Sequence, residues 1–327
     1  MTGLKRTKHR LRLVIALLAM ASSVGVPGAF AGAQDGQVPG KILLVRDGAA
    51  WMWQGGDMHE VYGQGNLSDA RWSPDGDQIL YVATQDSYSD LVLLDIDTGT
   101  IEQLTNNAPP PDLEPGSQPY VGRSSWALDP SWSESGRIAF VADYEESGRM
   151  ALWMMESPGT EAVLAPESEP TGVDIEGVSL SASGALAAYC VKSFDGVNYY
   201  TIVVLRDLSD GIEYPIVDEP GGVFYPSISP DEQWIAATIR SSDGVSDIWV
   251  VARSDSTATQ ITFGEEAISA TWSPDGEWLA YLRPSGDGFG LWVMPISDGA
   301  ATGTPVSLGE WEGVDATSGL SWSFAEG

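Results

Sequence analysis

From Lys41 onward the chain is built of apolar runs four or five residues long, set between polar residues and clusters of Gly, Pro, Asp, Asn and Ser. Ile79–Val82 and Leu279–Leu282 are two such runs; Leu91–Leu94, Leu152–Met155, Ile202–Leu205, Ile248–Val251 and Leu291–Met294 are others. Runs this short, bounded by turn residues, predict β-strands, and helical periodicity is absent from this part of the chain.

The runs recur in a fixed order. One segment is written six times, anchored at Trp72, Trp132, Leu180, Ile228, Trp272 and Trp322, which stand 60, 48, 48, 44 and 50 residues apart. That period is the length of a propeller blade. In each unit a strand A ends at the anchor, and a Ser-Pro-Asp-Gly type turn follows, in which Pro presets φ and Gly accepts a positive one. Strand B is an apolar run, strand C comes after a polar loop, and strand D reads as Ile101–Thr105 or Thr259–Thr262. The longest interval is explained by a proline-rich surface insertion, Asn107–Gly122. Residues 41–64 supply strands B, C and D without an A, and residues 318–324 supply an A with nothing after it. Joining the two closes a ring and leaves no open edge to recruit other chains. The expectation is an all-β, six-bladed propeller over residues 41–327, each blade a four-stranded antiparallel sheet.

The unit Trp-Ser-Pro-Asp-Gly, the strand pair after it and a D strand ending in Leu-Thr resemble the TolB-like β-propeller repeat, a WD-like family. The resemblance covers essentially residues 41–327. It implies the fold and is nearly silent on function: the family's role in a cell-envelope partner complex does not carry over whole, and no binding residue transfers by motif. The N-terminal α/β domain that the resemblance would bring has no room, because only about ten residues separate the first thirty-one from the first strand.

Those first residues read as an address. Lys5, Arg6, Lys8, Arg10 and Arg12 precede an apolar run from Leu13 to Val26, and Ala29-Phe30-Ala31 follows. A basic head, an apolar core and an Ala-x-Ala end make a secretory signal, with cleavage expected after Ala31 and a linker over residues 32–40. The run is short for a membrane span; retention as an uncleaved anchor is the alternative. The protein is thus expected to be exported, periplasmic or extracellular, and monomeric, without membrane insertion once the signal is removed.

Charge excludes a class of partner. The 327 residues hold 46 acids against 16 Lys and Arg, a net of −30, and loss of the five basic residues of the head takes it to −35. Such a surface repels phosphate backbones, so nucleic acid is not a partner. Two readings of the acidity stand: solubility or life in salty surroundings, and attraction of a cationic partner or of divalent ions such as calcium.

The motifs that carry chemistry are few. Asp75, Asp231 and Asp275 recur at equivalent positions, so they form a wide ring of turn residues and not one site. Trp72, Trp132, Trp272 and Trp322 read as inter-blade core. Only His59 remains once the signal is gone, and no Gly-x-Ser-x-Gly elbow is present, which leaves no triad. Cys190 lies in an apolar strand and reads as an inert buried thiol. Asp95–Gly99 lacks the later ligands of a calcium loop and reads as a C–D turn. No catalytic or metal-ligating set is assigned, and no cofactor. A pair of carboxylates at the central mouth is expected from the number of acids, without the sequence saying which pair.

What remains is the set of B–C and D–A loops, which open on one face. They mix acids, such as Asp86, Asp90 and Asp143, with aromatics: Tyr88, Tyr120, Tyr144, Phe194, Tyr199, Tyr200, Tyr225 and Phe289. Tyr gives contact area at low entropic cost, and loops on a rigid scaffold carry binding residues; the competing reading is that these rings cover strand ends. The sequence therefore points to a non-enzymatic propeller that binds a protein, peptide or glycan through this face. The alternatives are a carbohydrate- or lactone-acting hydrolase using mouth carboxylates, and the detached propeller of a two-part peptidase.

Overall fold

The computed structural model describes residues 38–144, 148–165, 174–194, 199–217, 219 and 221–324. The expected signal segment and most of the linker after it lie outside these residues. The described chain is six antiparallel sheets. The first trio is β1 (Lys41–Arg46), β2 (Ala49–Gln54) and β3 (Asp57–Gly63). Blade 1 follows as β4 (Leu67–Trp72), β5 (Gln78–Thr84), β6 (Ser89–Asp95) and β7 (Ile101–Gln103). The insertion then forms one helical turn, α1 (Gln118–Val121), started by the Ser117 hydroxyl, which accepts from the Tyr120 N–H. Blade 2 is β8 (Ala127–Trp132), β9 (Ile138–Ala142), β10 (Ala151–Met155) and β11 (Val163–Leu164). Blade 3 is β12 (Ile175–Leu180), β13 (Leu186–Phe194), β14 (Tyr199–Asp207) and β15 (Glu213–Val217). Blade 4 is β16 (Val223–Ile228), β17 (Trp234–Arg240), β18 (Ser246–Ala252) and β19 (Ala258–Gln260). Blade 5 is β20 (Ile268–Trp272), β21 (Trp278–Ser285), β22 (Gly288–Ser297) and β24 (Val306–Glu312), with a short added strand β23 (Ala300–Ala301) on the far end of β22. The last strand, β25 (Leu320–Ser323), pairs with β1 and completes blade 6.

Closure is specific. Lys41 lies opposite Ser323 and Leu44 opposite Leu320. The Trp322 indole N–H donates to the Pro39 carbonyl at 2.9 Å. The Trp72 N–H donates to the Ser321 hydroxyl at 3.0 Å. Lys41 is buried; its ammonium donates to the Gly76 carbonyl at 2.9 Å and lies 4.4 Å from the Trp72 ring centroid. Blade 6 is therefore tied to blade 1 by polar contacts as well as by packing.

The core lies between blades, because each sheet buries both faces against its neighbours. Leu43, Val45 and Ala50 of blade 6 meet Leu67, Trp72, Ile79 and Tyr81 of blade 1. Leu80, Val82 and Leu91 of blade 1 meet Ile138, Phe140 and Met155 of blade 2. Strands buried on both faces read as continuous apolar runs, and this is why the B and C strands carry four such residues in a row.

Two of the expected D strands are shorter than the sequence suggests. Thr105 and Thr262 leave the ladder because their hydroxyls do a different job. Each accepts from a strand C N–H, Leu91 or Ile248, at 2.9 Å, and donates to a buried carboxylate, Asp90 or Asp247, at 2.9 Å.

Candidate functional site

The short turns come first. The Asp75, Asp231 and Asp275 carboxylates accept from the hydroxyls of Ser73, Ser229 and Ser273 at 2.5, 2.5 and 2.6 Å. They also accept from the backbone N–H of Asp77, Gln233 and Glu277. In blades 2 and 3 the pairs Ser133–Ser135 and Ser181–Ser183 take the same places. The Ser73 hydrogen bond is the main reason the Asp75 carboxyl sits below the usual carboxylate range.

The aromatic loop residues are held in different ways. Tyr88 and Tyr120 come together on blade 1: the Tyr88 carbonyl closes the B–C loop, and the Tyr120 hydroxyl accepts from Ser87 beside it at 3.2 Å. Tyr144 departs from the expectation of a free loop contact. Its ring packs edge-on to Trp153 at 5.0 Å and lies 6.1 Å from Phe140, so it extends the core between blades 1 and 2. Phe289 likewise packs on the core between blades 5 and 6, opposite Trp311 in the ladder. Phe194 and Tyr199 are backbone partners at the end of the β13–β14 ladder, and the half-buried Tyr200 is next, paired with Ser193. Asp90, expected on a loop, is buried and accepts from Gln103, Thr105 and the Asn107 N–H.

His59 is exposed on the outer strand of blade 6. Cys190 is 1% exposed, and burial pushes its thiol up, far from a reactive thiolate. Asp95 accepts from both the N–H and the hydroxyl of Thr98, closing the C–D turn. Among the described residues no three Asp, Glu, His or Cys side chains converge as metal ligands would.

Tyr225 is different, and it leads to a feature the sequence reading did not find. It sits three residues before its anchor, at φ 51°, and the residue three before the anchor is left-handed in every blade. Asp69 (φ 51°), Asp129 (50°), Gly177 (63°), Ser269 (58°) and Gly319 (70°) complete the ring. In blades 1 to 5 the A–B ladder shifts register there, so each innermost strand carries a bulge. A bulge re-aims its side chain, and Asp129, Tyr225, Ser269 and Gly319 of this ring line the central cavity.

This ring brings charge together. Asp69 is 8% exposed, and Ser68 donates to its carboxylate at 3.0 Å. Burial, and then the neighbouring Asp129 carboxylate, push the Asp69 carboxyl up to about 7, against the pull of Arg71. Asp129 accepts from the Gly177 N–H of the next blade at 2.9 Å. Arg71 donates to the carbonyls of Ala70 and Ser318, and burial lowers its pKa while Asp69 and Asp129 hold it up. The Tyr225 hydroxyl is pushed up by burial and then by Glu176, Asp129 and Asp315, carboxylates from three blades. For Asp315, burial raises the carboxyl, but hydrogen bonds from Thr317 and Ser318 outweigh it and hold the group low. A neutral carboxylic acid beside a charged one can share acid and base roles near neutral pH; three carboxylates about one phenol attract a cation.

No family model matches the chain. Solved structures do. TolB from Acinetobacter baumannii superposes with a TM-score of 0.62 at 18% identity, over 88% of this chain and 67% of that one. A putative TolB from Agrobacterium tumefaciens gives 0.61 at 19%, over 87% of this chain and 98% of that one. An oligogalacturonate lyase in complex with manganese gives 0.51 at 16%, over 84% and 73%. At these identities the likeness is one of fold: the described chain is a TolB-like six-bladed propeller.

Proposed function

We propose that this protein is an exported, non-catalytic binding propeller. It holds a protein or peptide partner on the face where the B–C and D–A loops open. The observation that carries this reading is that Tyr225, in the bulge ring, feels the charge of Glu176, Asp129 and Asp315 from three blades. Acids around an aromatic ring suit a Lys- or Arg-bearing segment, which meets both a carboxylate and a π-face. The TolB-like fold supports a binding role, and export is read from the basic head, apolar run and Ala29-Phe30-Ala31.

Capture from cell-envelope extract on the immobilised protein tests it. A partner retained by the wild type should be lost from a Glu176→Gln/Tyr225→Ala variant and released by raised salt. Equal capture by the variant overturns the assignment of the face.

A second reading has its own observation. Asp69, held neutral up to about pH 7 beside Asp129, is the carboxyl pair that a carbohydrate- or lactone-acting hydrolase would use. Turnover in a glycoside and lactone screen that disappears in Asp69→Asn would establish this activity in place of the first.

A further inference from the structure

A second layer of the channel lies two residues further along each innermost strand, one residue before the anchor. Its six positions are Arg71, Ser131, Ser179, Ser227, Thr271 and Ser321, all half-buried. All six line one cavity of about 340 Å³, which runs from Pro74, Pro230 and Pro274 in the A–B turns to Asp129 and Tyr225 in the bulge ring. That volume is at the lower end of small-molecule sites, roughly 300–1,000 Å³.

The hydrogen bonding of this layer is lopsided. Ser131, Ser179 and Ser321 each accept an N–H from the next blade, that of Leu180, Ile228 and Trp72, at 2.9–3.0 Å. One lone pair of each is thus engaged, while none of them donates its own proton to the described residues. The Ser227 and Thr271 hydroxyls line the same cavity and make no hydrogen bond to the described residues. The layer therefore offers five hydroxyl protons and one guanidinium to whatever fills the cavity, with Asp129 as an acceptor at one end.

We propose that this cavity is a binding site for a small neutral saccharide, whose oxygens accept from Arg71 and the hydroxyl layer and whose hydroxyls donate to Asp129. An anion is disfavoured because Asp129 lies close enough to offset the charge of Arg71. A cation finds mainly donors in this layer. A ligand with many hydroxyls matches both kinds of wall. The site shares Asp129 and Tyr225 with the loop-face cluster but is not the same site, since Glu176 and Asp315 do not line the cavity and the hydroxyl layer is no part of that cluster.

Calorimetry and saturation-transfer NMR on the mature chain test this with glucose, N-acetylglucosamine and maltose, and with acetate and lysine as charged comparators. At least one sugar should bind with millimolar affinity or better. Ser227→Ala/Thr271→Val removes two hydroxyls that hold nothing else, so it should weaken that sugar about tenfold. Its melting temperature and its capture of a loop-face partner should not change. Ser227→Ala alone serves if the double variant fails to fold, with a smaller loss expected. No sugar binding, binding of acetate or lysine in its place, or undiminished sugar affinity in a folded variant would each overturn the proposal.

Discussion

Replacing Asp69 with Asn gives a sharp test of the channel electrostatics. Asn keeps the size and the amide oxygen that can accept from Ser68, and it tolerates the left-handed backbone at φ 51°. It removes only the ionisation. In the folded protein the Asp69 carboxyl is pushed up to about 7 by burial and by Asp129, whereas in the unfolded chain it titrates at about 3.9. Between those values the native state holds a proton that the unfolded state has lost, so unfolding free energy falls as pH rises through this window. About three units at ~1.4 kcal/mol each put the total on the order of 4 kcal/mol, in place below about pH 4 and gone above about pH 7. The Asn variant carries no such slope. In guanidinium titrations from pH 4 to 8.5, the difference between wild type and Asp69→Asn should be small at the acid end. It should grow to several kcal/mol in favour of the variant at the alkaline end, with a melting temperature raised by roughly 5–10 °C there. The comparison cancels carboxyls whose pKa is lowered and that do not interact with Asp69, such as Asp75. A difference that stays flat across the range would refute the claim that Asp69 is held protonated.

Three further outcomes follow from the packing. Asp247→Ala strands the Gln260 amide, the Thr262 hydroxyl and the N–H groups of Gly264 and Glu265, and should cost about 3 kcal/mol or more in a denaturant titration. Trp322→Ala empties a site 7% exposed in the closing strand and breaks the bond to Pro39; a loss of about 3–5 kcal/mol is expected by the same assay. Cys190, 1% exposed, should not react with a thiol reagent in the native protein and should react stoichiometrically after unfolding.

The fold was legible because its signal is repeated. A blade needs a tight A–B turn and two strands buried on both faces, and those demands fix Ser-Pro-Asp-Gly and the apolar runs closely enough to be read six times. The channel was not legible, for the opposite reason. The bulge ring asks its six positions for a backbone conformation, and Asp, Gly, Tyr and Ser meet it in different ways. Asp69, Asp129 and Tyr225 therefore share no residue type that would align them, although counting back three residues from each anchor finds them all. The serine layer is hidden by its ordinariness, since Ser before an anchor looks like any strand residue. Tyr144 and Asp90 were misplaced because loop position does not tell a side chain folded back onto the core from one pointing outward; the Thr105 and Asn107 that clasp Asp90 lie well along the chain from it.

Everything about the channel depends on the ring being shut by β25 on β1. Leu43 and Ser321 are opposed in that ladder, at the spacing a disulfide requires, about 4.4–6.8 Å between Cα atoms. A Leu43→Cys/Ser321→Cys variant, oxidised mildly and mapped by mass spectrometry, should form the bond within one molecule and keep Cys190 as its only free thiol. Two free engineered thiols, or a bond found only between molecules, would contradict the closed ring.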